Sequence, residues 1–366
     1  MIQLVLILFF PSALLAFPEN IRHGYISCTT CHVSPSGGGV LTPYGRAMSA
    51  ELMSTWGSNK SAGFFFTDNE NEEKNLPWFR ANAFLRGVQT RRNTPTLDKG
   101  QFIGMQADLE TGIDIEKFAV VTSFGLRAKD PSQSKDLNQI FSRRHYVLYR
   151  INDNWALRTG KFMFGFGLNG PDHVTATRRG LGFDQGSESY NLEASYVGEK
   201  TTTLLTAIDE TPIENFSRKE KAIAIDQAFA FGLGSKVGVS LFSGATTTHD
   251  RFVTGSYVIW APLSTVFLAS EIFYQEKKSK VTSLTQKGYA TFSRLNFEMT
   301  KGLFLFGQFD RSFLDSSAET SKFDSYGPGL QWFPYPHLEF LSYLGKEKVY
   351  NQEPTDFWWL MINIYL

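Results

Sequence analysis

The sequence predicts an all-β fold: a transmembrane antiparallel β-barrel of about sixteen strands, preceded by a small N-terminal segment of different character. Three observations predict it. Apolar and polar residues alternate at period two in segment after segment from Trp78 to Leu366. Aromatic residues make up 15% of the chain, with 33 Phe, 14 Tyr and 31 Gly, yet the mean hydropathy is −0.20. Strands that are apolar only at every second position give that combination, because averaging hides them. After residue 16, no apolar run is long enough for a spanning helix.

The chain opens on Leu4 to Ala16 (LVLILFFPSALLA), an apolar run of secretory length and too short to span a bilayer. Residues 1–16 therefore read as an export signal, with Phe17 as the mature start. Residues 17–60 form a small segment holding both cysteines of the chain, in Cys28-Thr29-Thr30-Cys31-His32. This C-x-x-C-H is the attachment signature of c-type haem. Each thiol can form a thioether to a porphyrin vinyl group, and His32 is then the proximal iron ligand. A disulfide between Cys28 and Cys31 is the structural alternative. A zinc site would need more ligands nearby, and only His23 is at hand. One covalent haem c is expected.

Three residues are candidates for the distal iron ligand, His23, Met48 and Met53, with an open or water-ligated iron as the alternative. Histidine on both sides lowers the potential, and methionine raises it. Pro35-Ser36-Gly37-Gly38-Gly39 either lets backbone approach the ring, since glycine has no side chain, or is an ordinary loop. Ser49 to Trp56 reads as one short helix packing on the ring. Tyr44 and Arg46 are candidate propionate contacts, with a solvated surface charge as the alternative for Arg46.

Residues 61–77 read as an acidic linker, with Asp68 to Asn75 (DNENEEKN) closed by Pro77. Residues 78–366 read as one outer-membrane barrel. In Ile103 to Ile113 the odd positions are apolar or Thr, and the even ones are Gly, Gln, Asp and Glu. Phe118-Val120-Thr122-Phe124-Leu126, Tyr190-Leu192-Ala194-Tyr196 and Ile223-Ile225-Gln227-Phe229-Phe231 repeat the pattern, as do Leu303 and Leu305 with Asp310 on the other face. The last strand puts Trp358, Leu360, Ile362, Ile364 and Leu366 on one face. A soluble β-sandwich would alternate in the same way. The strand count, the lack of a domain break and the apolar last strand favour the membrane barrel.

One long loop, Gly165 to His173 followed by Thr175, Thr177, Arg178 and Arg179, stands out. Its first reading is an external loop with solvated charges. Its second is a loop folded into the lumen, where Arg178 and Arg179 set a positive constriction beside Asp172 and His173. Arg80, Arg86, Arg144, Arg150 and Arg158 are candidates to line the lumen. His145, His173, His249 and His337 are scattered without metal-ligand spacing and read as lumen or loop residues. Lys+Arg equals Asp+Glu at 36 each, so no nucleic-acid partner is implied. Nothing in the barrel reads as hydrolase or transferase machinery.

A signal, one C-x-x-C-H (Cys28 to His32) in a short N-terminal segment, and a porin-sized barrel over Trp78 to Leu366 together resemble the fused monohaem cytochrome–porins of iron-oxidising bacteria. The resemblance implies an outer-membrane protein of a Gram-negative bacterium that passes electrons between an extracellular donor or acceptor and periplasmic cytochromes or other carriers, with membrane lipid around it. It also implies that Fe(II) is a donor to consider, the protein then being an extracellular metal oxidase. Two other functions remain open: a diffusion porin plugged or gated by the haem segment, and a soluble periplasmic cytochrome fused to a β-rich binding domain.

Overall fold

The computed structural model describes residues 21–23, 25, 27–57, 78–94, 97–128, 137–170, 175–184, 186–209, 220–232 and 234–365. The predicted export signal and acidic linker, with Asp172, His173 and Leu366, lie outside these residues.

The described strands are β1 (Phe79–Thr94), β2 (Leu97–Ile115), β3 (Phe118–Ala128), β4 (Leu137–Phe141), β5 (His145–Arg150), β6 (Trp155–Phe162), β7 (Ser189–Val197), β8 (Thr201–Ile208) and β9 (Lys221–Phe231). They continue with β10 (Ser235–Ala245), β11 (His249–Leu263), β12 (Val266–Ser279), β13 (Thr285–Thr300), β14 (Leu303–Phe313), β15 (Lys322–Trp332), β16 (Leu338–Val349) and β17 (Thr355–Tyr365). Apart from β4 and β5, each pairs antiparallel with its sequence neighbours, and β1 pairs with β17 to close the sheet. Both β4 and β5 pair with β3, so these two short strands share one place in the wall. The result is a closed antiparallel barrel with sixteen strand positions, as the alternation predicts. Closure leaves no unpaired edge, which is the condition for a sheet to cross hydrocarbon.

The two faces are inverted relative to a soluble protein. Leu109, Ile113, Phe118, Val120, Phe124, Leu192, Ile223, Phe229 and Leu305 are exposed, while Gln106, Asp108, Glu110, Glu193, Asp226, Glu271 and Asp310 are buried. An apolar outer band with polar groups inside is the arrangement of a lipid-embedded barrel. It excludes the soluble sandwich, whose apolar face would be inside.

The two ends differ. At one end the connections are short, such as residues 116–117, 264–265 and 301–302; at the other they include the long segment 163–188. Its described residues, 163–170, 175–184 and 186–188, overturn the external-loop reading, because they fold into the lumen. Phe164, Phe166, Leu181 and Phe183 form a buried cluster with the inward-facing Ala224, Phe242, Val253, Phe273 and Ala290. Four apolar side chains need a dry surface, and these strands supply one. The loop is also bonded there: Gly167 N donates to Ser240 Oγ at 3.0 Å, Leu168 N to Glu271 Oε2 at 2.9 Å and Ala176 N to Asp310 Oδ1 at 3.1 Å.

The N-terminal segment is a second occupant of the lumen. A 3₁₀ turn at Cys28–Thr30 leads into a small loop, and helix α1 (Pro43–Met48) follows, continued by a π turn at Ser49–Met53. The helix begins six residues before the predicted Ser49, for a local reason. Thr42 caps it, accepting from Gly45 N at 3.0 Å, and Pro43 occupies its first turn.

Candidate functional site

The C-x-x-C-H motif sits at the base of an antiparallel loop. Val33 N donates to Val40 O at 3.0 Å, His32 bridges to Leu41, and Thr42 N donates to Cys31 O at 2.9 Å. Val33 and Val40 bury their side chains against Ala119, Val121, Tyr146, Leu148 and Phe162, an apolar patch on the inner wall of β3, β5 and β6. The tip is Gly37-Gly38-Gly39, all three at positive φ. A side chain on Gly37 would lie 3.2 Å from Cys28 Sγ, and one on Gly39 would lie 2.7 Å from Glu110 Oε2. The glycine run therefore approaches the thiol on one side and the barrel wall on the other.

The wall meets this loop with charge. Arg158 Nη1 donates to Ser34 Oγ at 2.6 Å, and its Nη2 donates to Ser36 Oγ at 3.0 Å and Glu193 Oε1 at 2.8 Å. Arg144 pairs with Glu110 at 3.3 Å and Arg143 with Asp108 at 2.8 Å. These consecutive arginines both reach buried lumen acids because the wall is interrupted between β4 and β5. Ser123 Oγ of β3 accepts from the N–H groups of both Arg143 and Arg144, at 3.0 and 2.8 Å. Burial pushes the Cys28 thiol above its ordinary value, and the Lys236 and Arg158 cations oppose that shift. Asn82 Nδ2 donates to Gly39 O at 3.2 Å, and Asn169 of the inward loop donates to Ser36 O.

Both ends of the segment are fixed at the short-turn end. Arg22 donates to Ser264 O and pairs with Glu298 at 2.5 Å. Thr55 N donates to Phe333 O at 2.8 Å and Trp56 N to Pro334 O at 2.9 Å. The segment is thus a plug that enters and leaves by one end. Glu110, beside its tip, lies six residues from the turn at Glu116. At about 3.3 Å per residue, on a strand tilted by about 40°, the tip reaches roughly 15 Å into an apolar band of about 25 Å.

The residues fit a covalent haem by their chemistry. No disulfide joins Cys28 and Cys31, so both sulfurs are thiols. His32 is buried, and burial, with Arg144 nearby, holds its imidazole down at about 4, so it is neutral near pH 7. A neutral imidazole beside two thiols is the donor set that c-type haem takes. Such a group, when bound, supplies reversible one-electron redox.

The distal candidates separate in space. Met48 lies in one cluster with Cys31 and Tyr25, and Tyr25 Oη donates to its Sδ at 3.8 Å. Met53 packs elsewhere, with Ile21, Ile259, Phe267, Phe304 and Phe333. His23 lies near Arg22 and Glu298, and burial lowers its pKa. Tyr44 bonds Tyr25 at 2.9 Å. Arg46 is held by the wall, donating to Ala81 O and Asn82 Oδ1, each at 2.9 Å. In the inward loop Arg178 is buried and donates to Asn169 Oδ1 at 3.0 Å, whereas Arg179 is exposed. Of the arginines proposed for the lumen, Arg86, Arg144 and Arg158 face it, while Arg150 pairs with Asp114 beside the short turn at Glu116. Sequence reasoning missed Glu110, Glu193, Arg143 and Asn82. The acids on the polar face of predicted strands were the available signal for the first two.

No protein-family model and no curated protein matches this chain. Solved structures do. OprB of Pseudomonas putida is 8% identical with a TM-score of 0.59, covering 86% of this chain and 99% of that one. Outer-membrane-expressed OmpT of Vibrio cholerae is 8% identical with a TM-score of 0.58, covering 79% and 98%. An anion-selective porin from Comamonas acidovorans is 9% identical with a TM-score of 0.57, covering 79% and 99%. At this identity the likeness is one of fold. The chain is a porin-like β-barrel of the outer-membrane type.

Proposed function

We propose that this protein is an outer-membrane electron conduit of the fused monohaem cytochrome–porin kind: a porin-like barrel whose lumen holds a c-type haem on Cys28 and Cys31, ligated by His32. One observation carries this reading: the C-x-x-C-H segment is wedged inside the barrel, against its wall at Arg158 and Glu110, and not hung outside it. A haem held there divides an apolar span of about 25 Å into two shorter electron-transfer distances. Its partners are then a soluble periplasmic carrier at the short-turn end and an extracellular donor or acceptor, Fe(II) among the candidates, at the long-loop end.

A second reading has its own support. The structurally similar proteins include a porin described as anion-selective, and a barrel gated by the plug would pass solutes. One pair of measurements separates the two. Protein matured with its haem is examined by oxidised and dithionite-reduced visible spectra and by planar-bilayer conductance. Sharp reduced bands, lost in Cys28→Ser/Cys31→Ser, together with negligible steady conductance, support the conduit. Steady ion conductance from haem-loaded protein supports the gated porin. No haem in the wild type sinks the conduit reading.

A further inference from the structure

The short-turn end of the barrel carries an outward aromatic band. Phe118 packs on Tyr149 with ring centroids 4.8 Å apart, and Trp155 on Tyr196 at 4.9 Å. Aromatic bands of this kind sit at the membrane–water interface, where amphipathic rings have one apolar and one wet side. Trp332, the last residue of β15, belongs to this band, because its neighbour Gln331 faces the lumen and bonds Glu339.

Trp56 is not a barrel residue, yet it joins the band. Its indole meets Trp332 edge-on at 5.4 Å and 80°, and meets Tyr335 at 5.4 Å. It is 57% exposed, whereas the plug residues just before it, Met53 and Ser54, are buried. Its backbone is set by its own N–H bond to Pro334 O and by that of Thr55 to Phe333 O, and Trp332 Nε1 donates to Thr55 Oγ1 at 3.2 Å. The chain therefore leaves the lumen over the β15–β16 turn and delivers one aromatic ring to the outside of the wall. The outward residues next along the strands, Leu330 and Leu305, are apolar and exposed, so the ring sits at the edge of the lipid-facing band.

We infer that Trp56 is a lipid anchor: its indole lies in the headgroup–acyl boundary of the leaflet at the short-turn end and fastens the plug to the bilayer as well as to the barrel. This site is independent of whether haem is bound. A soluble protein docking on the same exposed ring is the competing occupant.

The test uses the full chain labelled with fluorotryptophan and reconstituted in phosphatidylcholine vesicles. The Trp56 fluorine resonance is the one missing in Trp56→Phe. Lipid carrying a nitroxide near its headgroup is then added, and, separately, a water-soluble gadolinium chelate. The expected result is loss of the Trp56 signal with the nitroxide lipid, in step with that of Trp155. Survival of the signal with the nitroxide lipid overturns the anchor. If the chelate removes it in that case, the ring faces water and suits a soluble partner.

Discussion

Arg158 and Glu193 face each other at 2.8 Å across neighbouring strands β6 and β7, with side chains 1% and 0% exposed. The same guanidinium reaches Ser34 and Ser36 of the plug and lies 3.6 Å from the centre of the Phe162 ring. A buried pair owes its value to mutual neutralisation, so removing one partner leaves an uncompensated charge. Glu193→Ala should destabilise the region by about 3–5 kcal/mol. The expected outcome is faster tryptic cleavage within residues 21–57 than in wild type, while the heat-modified gel shift of the barrel persists. Unchanged plug cleavage would mean that the pair does not hold the plug.

Gly39 has φ +71°, and a Cβ there would lie 2.7 Å from Glu110 Oε2. Gly39→Val should therefore lift the loop tip off the wall at roughly 2–5 kcal/mol, from backbone strain and a clash with a buried acid. Bilayer recordings should show transient conductance openings absent from wild type. Gly170→Val is the control, because no atom lies within 4 Å of the corresponding position.

Met48 shares a cluster with Cys31, and Met53 does not. Methionine ligation raises a haem potential. Spectroelectrochemistry of the haem-loaded protein should thus give a lower midpoint potential for Met48→Ala and an unchanged one for Met53→Ala. A drop for Met53→Ala alone would point instead to a distal ligand in the Phe304 cluster, and no change in either variant would point to His23 or an open position.

Leu109 faces outward six residues up β2 from its short-turn end, near the middle of the apolar band, and Ile115 faces outward at that end. Arginine at the bilayer midplane costs about 2–4 kcal/mol, and near the interface about 0–1 kcal/mol. Urea unfolding from lipid vesicles should place Leu109→Arg well below Ile115→Arg in stability. Equal effects would argue that this face does not see lipid.

Much of this molecule was legible in the linear sequence. Period-two alternation is a local property, set by successive side chains pointing to opposite faces. Ile103 to Ile113 therefore announced a two-faced strand, and the wall was predictable strand by strand. The C-x-x-C-H spacing was legible for the same reason, since Cys28, Cys31 and His32 lie within five residues.

What only the tertiary structure decided is what fills the barrel. Whether the stretches around Phe164 and Phe183 hang outside or fold in depends on their finding Phe242 and Phe273, residues far away in the chain. The inward turn of both Arg143 and Arg144 depends on a wall interruption facing Ser123 of another strand. The seat of the N-terminal plug depends on Arg158, Glu110, Phe333 and Ser264 converging from strands and turns spread over the whole barrel. Alternation says which side chains point inward; only closure of the sheet says which of them meet.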